Sequence, residues 1–486
     1  MTARSCAGMV STMTDQIQNS ASKEAGAKDN VDVEAIRRQI DADFEQTVRQ
    51  LKDLVSIPGI AWEAFDPEQL QLSAEAVARL IRESGVEDVQ ILRVDNDGVP
   101  GGPAVVARRP ARAGMPTVLL YAHHDVQPPG DADLWGSEPF TATERGDRLF
   151  GRGAADDKAG IMAHISALRS LDGLLGPDLG VGITLFIEGE EEAGSPTFRK
   201  FLQTHQELLR ADVIVVADSS NWKVGVPALT TSLRGLVDGT IEVQVLEHAV
   251  HSGMFGGPVL DAPTLLSRLI ATLHDESGAV AIEGLVRNDD ASVDYPEADY
   301  RADASVLDGV TLAGKGSLAS RLWSQPALSI IGMDVPSVAK SSNTLLPSAR
   351  AKFSLRLAPG QDPTEAMHAV ETHVQKHAPF GASVTFTPGE TGSPFATDTS
   401  AAAGQRALWA LQQAWGVDAV ETGVGGSIPF IADLTEIYPE AQILITGVED
   451  PDSRAHSANE SLHLGEFKKA VLAEALMLAK INSEGL

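Results

Sequence analysis

Cysteine is nearly missing from this chain of 486 residues, in which Cys6 stands alone. A single thiol excludes an intramolecular disulfide and takes thiolates out of any metal site, so a metal here has to be held by His, Asp and Glu. Positive charge is scarce too: 38 Lys and Arg face 67 Asp and Glu, for a formal net charge of −29. That balance repels nucleic acid and anionic membrane surfaces, and neither is an expected partner. No run approaches the roughly 18 apolar residues that cross a bilayer. Residues 1–30 are small and polar without an apolar h-region. They are expected to be a disordered leader on a cytoplasmic protein, with no secretory signal.

The rest of the composition, 43% hydrophobic and 22% charged, is that of a soluble globular enzyme. Its length exceeds one ordinary domain, so two or three are expected. One stretch organises them, residues 185–195, LFIEGEEEAGS. The apolar run 181–187 reads as a buried strand that delivers side chains to the carboxyl edge of a parallel sheet. Glu188, Glu190, Glu191 and Glu192 follow at once. Four carboxylates crowded at such an edge repel one another unless a cation sits among them. Arg199 and Lys200 are too few and come after a turn. A bound metal is the economical answer, and a solvated acidic loop is the alternative.

In chain order, helical spacing over residues 31–57 and 67–84 precedes short strands at 89–94 and 104–108. The buried strand 117–122 runs into His123-His124-Asp125. A glycine-rich loop, 151–160, leads into a helix over 161–175. The organising strand, a helix over 196–209 and the apolar strand 212–217 ending in Asp218 follow. Alternating strands and helices predict a mainly parallel sheet flanked by helices. From about Ser232 the strands alternate with period two (236–246, 349–357, 382–387), with helices at 263–274 and 363–377. These predict an inserted α+β domain over 232–392. It interrupts a catalytic α/β domain whose parts are 31–231 and 393–486, the second part carrying helices at 400–415 and 464–481 and a strand at 442–446.

The polar groups at the strand ends are His123, Asp125, Glu191, Glu192 and Asp218, joined by Asp156 in its glycine loop and His456 in a late segment. These oxygen and imidazole donors suit zinc, manganese or cobalt and are numerous enough for two ions. His123 and Asp125 are two apart on a strand and point the same way, which lets the aspartate orient the imidazole. His124 points to the opposite face.

The motifs HHDVQP, GRGAADDKAG, EGEEEAGS, the strand into Asp218, HSGMFGG and AHSANE, in that order, resemble the metallopeptidase family of carnosinases, aminoacylases, carboxypeptidase G and succinyl-diaminopimelate desuccinylase. The likeness spans about residues 45 to 485 and is nearest to the carnosinase-like dipeptidases. By position, the resemblance implies that His123 and Asp218 bind one metal, Asp156 bridges, and Glu192 and His456 complete a second site. Glu191 is then the general base, Asp125 stands behind the ligands, and Glu188 and Glu190 are structural or solvated. His251, opening HSGMFGG, stabilises the oxyanion, in family dimers from the partner subunit, so a homodimer is implied. Arg356 grips a substrate carboxylate, with Thr344 and Ser427 touching the same group. A cis peptide bond is implied between Asp156 and Asp157. No histidine lies between Gly381 and Arg406, where the carnosinase branch has one, which departs from carnosine-like specificity. The implied activity is hydrolysis of dipeptides with a free carboxylate by a di-metal centre, most simply di-zinc. Deacylation of N-acyl amino acids is the rival of the same chemistry, and a non-catalytic metal-binding module is the remote one.

Overall fold

The computed structural model describes residues 31–486 apart from Asp290, Ser292 and Ser427. The expected leader, residues 1–30, and the Ser427 contact lie outside the described residues. Among the described residues, no helix is long and apolar enough to cross a membrane.

A nine-stranded mixed sheet forms the larger layer. Its centre is parallel: Gly182–Glu188, Thr117–His123, Val213–Val216 and Gln442–Ile445 lie side by side. Antiparallel strands edge it on both sides, Ala104–Arg109 and Asp88–Leu92 at one and Ala228–Leu233 and Phe395–Ala396 at the other. The parallel strands are apolar at nearly every position because both faces are covered. Along Thr117–His123, Val118, Leu120 and Ala122 pack under the helices Val33–Val55, Lys158–Leu175, Ala402–Trp415 and Leu464–Glu484. Leu119 and Tyr121 face Phe186, Phe198, Phe201 and Phe430 on the other side. Each fully buried large apolar side chain contributes about 1.5–3 kcal/mol.

Helix starts carry their own signals. Asp32 and Asp66 accept from the backbone N–H groups of Ala35 and Glu68, and Pro67 opens the second helix. The helix expected over 196–209 is instead two pieces, Phe198–Thr204 and Gln206–Leu209, separated at His205. The apolar spacing continues through this break, so periodicity alone does not reveal it.

A second sheet of four antiparallel strands runs in the order Ala327–Asp334, Ser348–Leu357, Gly235–Gln244 and Ser383–Gly392. The helices Ala262–Ala271 and Pro363–Lys376 cover one face, burying Val237, Ile241, Phe353 and Leu355. Three of these strands follow the expected alternation. Ala327–Asp334 does not, because its register shifts between Ile330 and Gly332 and breaks the period.

Register positions what comes next. His123 pairs with Glu188 and Tyr121 with Val216, so the three parallel strands deliver their carboxyl ends to one edge. That edge is where open α/β sheets bind ligands.

Candidate metal centre

Five chain segments converge on this edge. His123 ends its strand, and Asp218 follows Val213–Val216 by two residues. Asp156 sits in the loop before the helix Lys158–Leu175, and the peptide bond from Asp156 to Asp157 is cis. Two glycines permit that loop. Gly153 has φ +79, and a Cβ there would meet Val126 Cγ1 at 2.6 Å. At Gly160 a Cβ would come within 2.1 Å of Asp157 Oδ1. Glu191 and Glu192 lie in the single turn Glu191–Ala193, which ends at Gly194 in the left-handed region. His456 comes from the late loop and has φ +62, a conformation costing a non-glycine residue about 1–3 kcal/mol.

The donor atoms form two groups that share one residue. His123, Asp156 and Asp218 offer atoms within 4.8 Å of one another, and so do Asp156, Glu192 and His456. Asp156 turns Oδ1 to His123 Nε2 at 3.1 Å and Oδ2 to His456 Nε2 at 2.9 Å. His456 Nε2 lies 3.2 Å from Glu192 Oε2, and His123 Nε2 lies 4.0 Å from Asp218 Oδ2. Ligands about 2.0–2.1 Å from a tetrahedral ion stand about 3.4 Å apart, so these separations fit. Behind the donors, Asp125 accepts the backbone N–H groups of Glu191 and Glu192 at 3.1 and 3.0 Å. Its backbone carbonyl lies 3.1 Å from His123 Nδ1, which leaves Nε2 for the centre. One residue thus orients the imidazole and steadies the glutamate turn. Gln127 donates its N–H and its side-chain amide to the Glu192 carboxylate.

Electrostatics show a surplus of negative charge. Burial pushes the Glu191 carboxyl up to about 8, with Asp218, Asp125 and Glu192 adding to the rise against His123. Asp218 is likewise pushed up to about 6, by burial first and then by Asp156 and Glu192. His456 is held at about 10 by hydrogen bonds to Asp156 and Glu192. Burial opposes the cationic form of His123, yet Asp125 and Asp156 hold it well above its ordinary value. Acids that resist ionising beside histidines that hold their protons describe a site short of positive charge. Divalent cations fit such a donor set, all oxygen and imidazole.

The other glutamates of the acidic run turn away from this centre. Glu188 accepts from Tyr121 Oη at 2.6 Å, and Glu190 accepts from Gly102 N, Thr197 N and Thr197 Oγ1. Both are buried and neither is solvated. His124 bonds Pro103 O at 2.7 Å, and burial lowers it to about 4, so it is a neutral core residue. Among the remaining expected residues, His251 pairs with Thr344 on a two-stranded ribbon and is exposed. Arg356 lies on Ser348–Leu357 opposite Leu236. It stands close enough to Arg234 to add to burial in lowering that guanidinium to about 10. Arg234 donates to Gly425 O, in the loop that precedes Ser427.

Sequence reasoning passed over Glu460, Arg152, Asp157 and Glu449. Asp157 accepts the backbone N–H of His123 and is buried. Glu449 bonds Ser220, and burial pushes its carboxyl well up, with Asp156 and Asp218 adding. The signal that could have found Glu460 is its place as the lone charged residue closing AHSANE.

The chain is 38% identical to a cysteinylglycine-S-conjugate dipeptidase of Corynebacterium striatum, over 75% of this chain and 80% of that one. It is 28% identical to a Beta-Ala-His dipeptidase of Rattus norvegicus, over 93% and 96%. In three dimensions it matches the dipeptidase Dug1p of Saccharomyces cerevisiae with a TM-score of 0.68 at 22% identity, covering 94% of this chain and 99% of that one. The description Peptidase family M20/M25/M40 matches residues 119–480. That match spans the second sheet, most of the first and every donor of the candidate centre, and the chain belongs to this peptidase family.

Proposed function

We propose that the chain is a di-metal dipeptidase, hydrolysing the peptide bond of dipeptides or short peptides with a free C-terminal carboxylate. The observation that carries this is Asp156, which offers one oxygen to each of two donor groups. His123, Asp156 and Asp218 would hold one ion, and Asp156, Glu192 and His456 the other. The ions are most simply zinc, with manganese or cobalt as the alternatives. When bound, they supply Lewis-acid polarisation of the scissile carbonyl and a nucleophilic water at neutral pH.

The chain's own residues then divide the work. Glu191 takes the proton of the attacking water and passes it to the leaving amine nitrogen. With ions held by its neighbours, Glu191 would be a carboxylate able to accept a proton near neutrality. Asp125 aims Glu191 and Glu192 through their backbone N–H groups. His251 stabilises the developing oxyanion, and Arg356, Thr344 and Ser427 hold the substrate carboxylate. Residues 232–392 form an inserted lid and dimerisation domain between catalytic parts 31–231 and 393–486. The working form is a cytoplasmic homodimer. The dipeptidase names of the relatives support this reading over N-acyl-amino-acid deacylation.

The test is a panel of dipeptides and N-acyl amino acids, assayed after chelation and again after adding back zinc, manganese or cobalt. Hydrolysis of dipeptides that is lost on chelation and restored by one of the ions is expected. Turnover indifferent to chelation would remove the metals from the mechanism. Hydrolysis confined to N-acyl amino acids would favour the deacylase.

A further inference from the structure

Glu460 lies four residues after His456 and is fully buried. All four lone-pair positions of its carboxylate are engaged. Oε2 accepts from Arg152 Nη1 at 2.6 Å and from Gly153 N at 3.1 Å. Oε1 accepts from Ala155 N at 3.0 Å and Asp156 N at 3.2 Å. Its backbone carbonyl accepts Gly151 N at 3.1 Å. One side chain therefore holds the whole loop that presents Asp156. Arg152, its partner, is itself buried, with its guanidinium 5.5 Å from the Trp135 ring centroid.

Toward His456 the same segment is equally tied. Asn459, at φ +63, accepts Gly136 N and donates to Leu134 O, both at 2.8 Å. Ser461 N donates to Ser453 O, closing the loop that carries His456. Glu460 is thus the point where the segment bearing one donor grips the loop bearing the shared donor. A glutamine there would turn an –NH₂ toward two N–H donors that now meet an oxygen, leaving buried groups unsatisfied.

We propose that Glu460, braced by Arg152, is the positioning residue that sets ion affinity at this centre. Its influence falls more on the ion held by Asp156, Glu192 and His456 than on the one held by His123, Asp156 and Asp218. This rests on the two-ion reading above. The asymmetry follows from geometry: the Glu460 carboxylate holds the loop of Asp156, which both sets share, and anchors to it the segment that carries His456, a donor of the first set alone. Partners behind ligands typically carry about 10- to 100-fold in metal affinity.

Cobalt(II) titration of the ion-free full chain, followed by calorimetry and visible absorption, tests it. His456→Ala removes a donor from one set only and so marks which binding phase is which. Glu460→Gln should weaken the His456 phase about 10- to 100-fold and the other phase less. Unchanged affinities would overturn the proposal. So would equal weakening of both phases, alongside a matching fall in the unfolding midpoint of the ion-free protein. If Glu460→Gln does not fold, Arg152→Lys keeps the charge but loses the fork. It should show the same order with a smaller amplitude, and no change there would overturn the proposal as well. A wild-type chain that binds fewer than two ions would instead refute the underlying two-ion reading, an outcome distinct from the others.

Discussion

His164 gives both ring nitrogens to acceptors: Nδ1 to the two Glu474 oxygens at 2.9 Å each, and Nε2 to Tyr121 O at 3.0 Å. The ring is fully buried, and two acceptors on one imidazole require the imidazolium. Burial opposes that charge, but the Glu474 carboxylate and the Tyr121 carbonyl outweigh it, and the pKa rises above the ordinary 6.5. A raised folded-state value means that the stability the pair contributes is fully present below 6.5 and is lost as pH rises through the folded value. Urea unfolding from pH 6 upward should therefore show wild-type stability falling more steeply than that of His164→Gln. Parallel curves would contradict it. The sequence hid this pair because His164 sits mid-helix among apolar residues and its partner is 310 positions away. His123 and Asp218 stand out for the opposite reason: each closes a short apolar run, so its place on the sheet edge could be read, whereas Glu191 and Glu192 were told from Glu188 and Glu190 only by the family resemblance. Glu460 was overlooked because three of its four partners are backbone N–H groups of a distant loop, which leave no mark in a sequence beyond its own place at the end of AHSANE.

At the scale of elements, the helix Leu464–Glu484 closes the core over Val33–Val55, Lys158–Leu175 and Ala402–Trp415. Its apolar positions go nearly all round, as a helix wedged among other helices requires. Leu476 is fully buried there, so Leu476→Ala should cost about 2–5 kcal/mol in denaturant unfolding. The number of ions bound per folded chain should not change, because the helix supplies no donor. A loss of ion binding with stability unchanged would contradict that separation. Lys158 links this layer to the centre, donating to Leu54 O and Ile57 O at the end of the first helix, and burial lowers its pKa to about 7. Both sheets were legible where one pattern governs a segment, the continuous apolar run of Thr117–His123 and the alternation of Ser348–Leu357. Legibility failed where tertiary contacts override the period, at the shifted register of Ala327–Asp334 and at the break beside His205. The strands Ala228–Leu233 and Val420–Val424 escaped as well: they are short, and their pairing is set by partners distant in sequence.

For the whole molecule, the proposed dimer makes a claim that single chains cannot meet. If His251 serves the partner's centre, His251→Ala and Glu191→Gln subunits mixed and re-equilibrated should form heterodimers with one intact site. Activity above either parent is the expected result. Heterodimers shown to form without recovery would return His251 to its own subunit or remove it from catalysis. The central claim, that this family member works by two ions and a glutamate base, rests on Glu191 standing beside the donors without being one of them. The most direct test is the turnover of Glu191→Gln with its ions counted. Two ions per chain, as in wild type, with kcat lowered about 100- to 10,000-fold is the predicted result. Near-normal kcat in the fully loaded variant would contradict it.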